Sequence, residues 1–161
     1  MGLLRKEKTI MIPTIKEIGS YIKGAYHGSV ASFTAGTTYD DVLVTTTTGI
    51  DRLGFDSAAL LVSYSAALVT DKALTIAVNI TSCDTVDGSY DTGVAVQAAT
   101  AAVTGVADAA VTGVYKVNVD LSAYKRYVKF GIQPNLTNTG TDTAAITTVV
   151  VLGGADKVPT T

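Results

Sequence analysis

Three features of this sequence predict an all-β domain, a two-sheet antiparallel β-sandwich preceded by an extended N-terminal arm. From Tyr39 onward Val, Ile, Thr and Tyr dominate and alternate with polar residues at a period of two. Turn-forming residues return at short intervals between the alternating runs. No stretch of the body carries the sustained period of a long helix. A chain of 161 residues, 47% of them hydrophobic, is long enough to bury a core without disulfides or a structural metal, and it has one cysteine. Among sandwiches a jelly roll is the first choice, with another Greek-key arrangement left open because spacing does not fix connectivity.

The N-terminal segment differs from the rest in charge. Residues 1–25 hold Arg5, Lys6, Lys8, Lys16 and Lys23 against Glu7 and Glu17, a net of +3, whereas the whole chain sums to −2. Ile12, Ile15, Ile18 and Ile22 recur every three or four residues and would line one side of a short helix. Gly19 and Gly24 weaken that helix, which would need a surface to dock on. A solvated leader is the plain alternative. Charges at 5–8 interrupt any secretory hydrophobic run. Gly24, Gly28 and Gly36 with Ser29, Ser32, Thr34, Thr37 and Thr38 are read as a flexible join, so the expected division is an arm and linker over 1–36 and a sandwich over 37–161.

Strands are expected at 41–48 and 58–64. The clearest lies at 72–81, where Leu74, Ile76, Val78 and Ile80 alternate with Ala73, Thr75, Ala77 and Asn79. A further strand is expected at 93–100. Tyr115, Val117 and Val119, and then Val128, Phe130 and Ile132, repeat the alternation. The last strand, 144–152, places apolar groups on both sides through Ile146, Val149, Val150, Val151 and Leu152, which predicts that its outer side meets another surface, the arm or loops being the alternative cover. Turns are expected at Asp71-Lys72, at Asp87-Gly88 and over 135–140.

The stretch 94–114 is nearly uncharged, but its Ala, Gly and Thr content with Gln97 and Asp108 is too polar for a membrane span. The hexamer Ala-Ala-Val-Thr-Gly-Val occurs at 101–106 and at 109–114, a strand-turn echo too short in offset for a solenoid, with a tolerant surface loop the expected setting.

Reactive chemistry is sparse. With one histidine and one cysteine, metal-ligand sets and acid/base pairs are nearly absent, so neither a metal site, a cofactor nor an enzyme is expected. Asp84, Asp87, Gly88 and Asp91 lack the calcium-loop spacing and read as hairpin residues. His27 reads as a surface histidine and Cys83 as a reduced thiol. Asp40, Asp41, Asp51 and Asp56 lack the aromatic platforms of a sugar-cleaving cleft, and the sequons at Asn79 and Asn135 matter only in a secreted eukaryotic protein. The net charge argues against a nucleic-acid partner or an anionic membrane. Lys125, Arg126 and Lys129, interleaved with Tyr124 and Tyr127, suit a solvated strand face or an interchain ion-pair patch better than base stacking.

The run Ile50-Asp51-Arg52-Leu53-Gly54-Phe55-Asp56-Ser57-Ala58-Ala59-Leu60-Leu61-Val62, the run Leu121-Ser122-Ala123-Tyr124-Lys125-Arg126-Tyr127-Val128, and the ending from Thr141-Asp142-Thr143-Ala144 through Val151-Leu152-Gly153-Gly154-Ala155-Asp156 carry a resemblance. In that order they resemble the jelly-roll decoration, or cement, proteins of tailed bacteriophages, over the body but not over the arm. The resemblance implies a homotrimer on the outer capsid surface of the virion, at or near three-fold positions, with the major capsid protein as partner and no catalytic residues. On that footing Arg5, Lys6, Lys8, Ile12, Ile15, Lys16, Ile18, Ile22 and Lys23 are the candidate capsid-docking residues. Tyr124, Lys125, Arg126, Tyr127, Lys129, Val149 and Val151 are the candidate subunit interface. The rival from another class is a carbohydrate- or receptor-binding sandwich, since the same fold hosts both roles.

Overall fold

The computed structural model describes residues 21–37, 44–45, 48–105, 109–137 and 140–155. The described residues form nine strands: β1 (Lys23–Thr34), β2 (Val44–Thr45), β3 (Ile50–Asp51), β4 (Phe55–Ala67), β5 (Ala73–Cys83), β6 (Val94–Thr104), β7 (Ala110–Asp120), β8 (Tyr127–Leu136) and β9 (Thr143–Ala155). They make two antiparallel sheets, one ordered β1-β9-β4-β7 and the other β2-β8-β5-β6, with β3 also paired to β8. Because β2 and β3 share that partner, they act as one interrupted edge strand. First pairs with last, second with next to last, and so inward to the β5–β6 pair, with the ribbon alternating between sheets. This is the connectivity of a jelly roll.

Alternation fixes which side of each strand is buried. Leu74, Ile76, Val78 and Ile80 of β5 and Val128, Phe130 and Ile132 of β8 face Leu60 and Val62 of β4, Val117 and Val119 of β7, and Ile146, Val150 and Leu152 of β9, all in one hydrophobic core. Each fully buried side chain of this size contributes about 1.5–3 kcal/mol. Pro134 lies in β8 opposite Ile76 of β5. Asp71 takes a left-handed conformation (φ 63°) in the β4–β5 turn, where its N–H donates to Gly105 O at 3.1 Å.

Two expectations need correction. The sandwich starts at Lys23 and not at residue 37, because β1 pairs with β9 from Lys23 opposite Leu152 to Thr34 opposite Thr143. Two register shifts, between Tyr26 and Gly28 and between Val30 and Phe33, break the period of two, and the strand's glycines and serines imitate a linker. Only the turn after it, closed by Thr37 N–H to Thr34 O at 3.1 Å, keeps the linker character. The stretch 94–114 is chiefly strand and not surface loop: the first copy of the hexamer closes β6 and the second opens β7. Of the strand expected at 41–48, residues 44–45 are β2, and 41–43 and 46–47 lie outside the described residues. Among the described residues no helix is long and apolar enough to cross a membrane.

Candidate functional site: the outer sheet face

The two sheets differ on the sides turned away from the core. On the β8–β5–β6 sheet that side carries Thr75, Ala77, Asn79 and Thr81 from β5 and Gln133 and Asn135 from β8, a mostly neutral polar surface. On the β1–β9–β4–β7 sheet it is assembled in cross-strand rows: Val151, Ala59 and Asn118, then Val149, Leu61 and Lys116, then Thr147, Ser63 and Val114. Leu60, Val62, Val150 and Leu152 take the buried side, so their neighbours in sequence must take the other. Val114 is 61% exposed and Val149 37%. Lys116 is the one charged side chain in these three rows. An antiparallel sheet with a solvated face is ordinarily polar there, and this strip departs from that pattern.

Two shallow grooves lie on this face. One, of about 530 Å³, is lined by Ile22, Ala59, Val151 and Gly153, with Asp56 and Asp120 at its rim. The other is rich in hydroxyls, from Ser29, Ser63, Ser65, Thr112 and Thr147. Tyr64 turns its ring to the core side, where its hydroxyl reaches Ala102 O of β6 at 3.5 Å and lies over Gly113 of β7, so that an added Cβ there would fall 2.4 Å from the phenol oxygen.

The predicted interface residues are not brought together. Val149 and Val151 stand on the outer face just described, whereas Tyr127 and Lys129 lie on β8 in the other sheet. The charges of the basic cluster find partners within the chain. Arg126 forms a two-bonded ion pair with Asp51, Nε to Oδ1 at 3.1 Å and Nη2 to Oδ2 at 2.8 Å. Lys125 Nζ sits 3.9 Å from Asp91, and Lys129 Nζ lies 4.2 Å from the centre of the Tyr90 ring. Arg52 ties the same corner, donating to the carbonyls of Lys125 at 2.9 Å, Phe55 at 3.3 Å and Tyr124. Arg52 and Arg126 thus fasten the 121–126 turn to the β3–β4 turn, while Lys125 and Lys129 reach the loop between β5 and β6.

These bonds set the local electrostatics. The hydrogen bonds from Arg126 hold the Asp51 carboxyl below the usual carboxylate range against the opposing effect of burial. Asp91 is lowered by the Ser82 backbone N–H, donated at 2.7 Å, and by the Ser82 hydroxyl, also at 2.7 Å. Asp91 is therefore committed to fixing a loop. Among the described residues no group of three His, Cys, Asp or Glu is placed to hold a metal ion.

No protein-family model matches the chain, and no curated protein matches it either. Among solved structures it is similar to that of the infectious bursal disease virus Gx strain, at 14% identity and a TM-score of 0.49, over 85% of this chain and 33% of that one. It is similar at 14% identity and a TM-score of 0.48 to the VP2 subviral particle of the same virus, over 86% of this chain and 33% of the other. The chain thus spans about a third of the length of the chains it matches.

Of the candidate docking residues, Arg5, Lys6, Lys8, Ile12, Ile15, Lys16 and Ile18 lie outside the described residues. Ile22, 38% exposed, lines the first groove, and Lys23 opens β1 with its Nζ donating to Asp51 O at 3.3 Å. The side chain of His27 also lies outside the described residues. Cys83 is buried at the end of β5. The residues that sequence reasoning missed are Ala59, Leu61 and Val114. A signal existed for the first two, since the unbroken run Ala58-Ala59-Leu60-Leu61-Val62 is what a strand covered on both sides requires.

Proposed function

We propose that this protein is a virion structural protein that binds the outer surface of a tailed-phage capsid as a homotrimer and cements neighbouring capsomers, by adhesion and without catalysis. The observation that carries the reading is the apolar outer face of the β1–β9–β4–β7 sheet, with Leu61, Val114, Val149 and Val151 turned away from the core. That face suits contact with another folded surface, and a second copy of the chain is its occupant in a trimer. The sequence resemblance to decoration proteins points the same way.

Attachment by such a molecule follows from linkage. A protein that binds the assembled lattice and not its separated parts stabilises the lattice by mass action. Three arms on one trimer act at high effective concentration, so modest single contacts sum to firm attachment. In this reading the basic arm supplies the capsid contact. The boundary of β1 defines the test: removing residues 1–21 leaves the sandwich complete. The truncated protein is expected to fold and to stay associated while losing co-sedimentation with expanded capsids. Undiminished decoration would remove the arm from the mechanism.

A further inference from the structure

We propose that β7 pairs antiparallel with β7 of a second copy, about a two-fold axis through Asn118. This goes beyond the capsid reading and does not depend on it, because the pairing extends the sheet in its own plane and leaves the outer face uncovered. The sheet edges are not alike. β1 carries two register shifts and β6 three, and β2 and β3 are two residues each, which are ordinary ways of blunting an edge. β7 has none of these devices: its residues 110–120 pair with β4 without a shift, it holds no proline, and among the described residues no strand pairs with its other side. A long regular edge of this kind is a template for another strand.

The ladder fixes which residues can serve. Leu121 N–H donates to Asp56 O at 2.8 Å, one step beyond the Ser57–Asp120 pair. Bonded and unbonded pairs alternate in an antiparallel ladder, so Asp120, Asn118 and Lys116 turn their N–H and C=O groups away from β4, toward the open edge. Lys116 and Asp120 are the charged residues of β7, with Asn118 midway between them. An axis through Asn118 brings each Lys116 opposite the partner's Asp120 and Asn118 opposite itself, with all of these backbone groups in bonding phase. An axis through Lys116 would instead oppose like charges. The side chains of Lys116 and Asp120 are exposed, so their ion pairs are weak, and the paired stretch 116–120 is a short ladder. The contact therefore fills where copies are held side by side, as a link from one trimer to the next on a shell, and free copies visit it transiently.

Asn118→Cys reads the pairing directly in the full chain, because on a two-fold axis residue 118 meets itself. A short bismaleimide is added, with the parent, whose Cys83 is buried, as the blank. Dimers are expected to form at least tenfold faster than with Val114→Cys, an exposed site on the same strand but off the axis. Equal rates overturn the proposal. Charge reversal tests the register. In the Asn118→Cys chain, Lys116→Glu and Asp120→Lys each oppose like charges and should each slow cross-linking at least fivefold. Mixing those two variants sets every lysine against a carboxylate again and should restore the rate between them. A mixture no faster than either variant alone overturns the proposal. Leu61→Asp, on the outer face, should leave the Asn118→Cys rate unchanged. A cross-link lost with Leu61→Asp would belong to that face, overturning the edge pairing while the capsid reading stands.

Discussion

Leu61 of β4 stands directly opposite Val149 of β9 on the side of the sheet turned away from the core, an apolar pair where solvent would ordinarily select polar side chains. The pair sits between Lys116 on one side and β1 on the other, at the centre of the face assigned to self-association. Replacing Leu61 with Asp is therefore expected to cost about 1 kcal/mol or less of fold stability, as for a substitution outside the core. The same change should abolish the associated species. Light scattering and thermal unfolding on one sample separate the two effects, and a variant that stays associated would move the interface elsewhere.

Tyr64 and Gly113 make a second testable pair. A Cβ at residue 113 would lie 2.4 Å from the Tyr64 hydroxyl and 2.7 Å from the adjoining ring carbon, so the ring has to move. Gly113→Ala should destabilise by about 1–3 kcal/mol, the usual range for overpacking. In a Tyr64→Leu background the same change should cost much less. A double-mutant cycle by urea denaturation reads the coupling, and additive effects would show that the ring does not need the glycine.

What could be read from sequence divides along physical lines. The buried sides of β5, β7 and β8 were legible because a strand with one covered face writes its burial as strict alternation, as Leu74 to Ile80 does. β1 was not, because its bulges and its Gly24, Gly28 and Ser29 erase that period, and what holds it is pairing with the distant β9. The outward exposure of Val149 and Val151 could be read from the apolar run in β9, but their neighbours Ala59, Leu61 and Asn118 depend on the strand order and the register. The basic cluster misled for the same reason: Asp51 and Asp91, which pair with Arg126 and Lys125, are far away in sequence.

Asp142 is 1% exposed, and its Oδ1 accepts the Val69 N–H at 2.9 Å. Asp142→Ala should cost about 1–3 kcal/mol, because the Val69 amide loses the acceptor supplied by a buried carboxylate. Chemical denaturation measures this directly. A loss below about 0.5 kcal/mol would mean that the amide finds another acceptor.

Acid should weaken the fold through Asp51 and Asp91. Both carboxyls are held below their ordinary range, by Arg126 and by Ser82 respectively, so the folded state binds protons less readily than the unfolded one. Their contribution is fully present above the unfolded value of about 3.9 and is lost as pH falls from there through the folded values. The unfolding midpoint should drop across that window, with a shallower drop in Asp91→Asn. An identical acid profile in parent and variant would exclude Asp91 as a source of the dependence.

The central claim, that the protein acts by attaching to an assembled shell, is tested most directly by quantitative co-sedimentation of the full chain with expanded tailed-phage capsids stripped of their own decoration. Saturable binding in multiples of three copies, with capsids that then withstand a higher temperature before releasing their DNA, is the predicted result. A protein that remains monomeric in the supernatant at every concentration, leaving capsid stability unchanged, would contradict it.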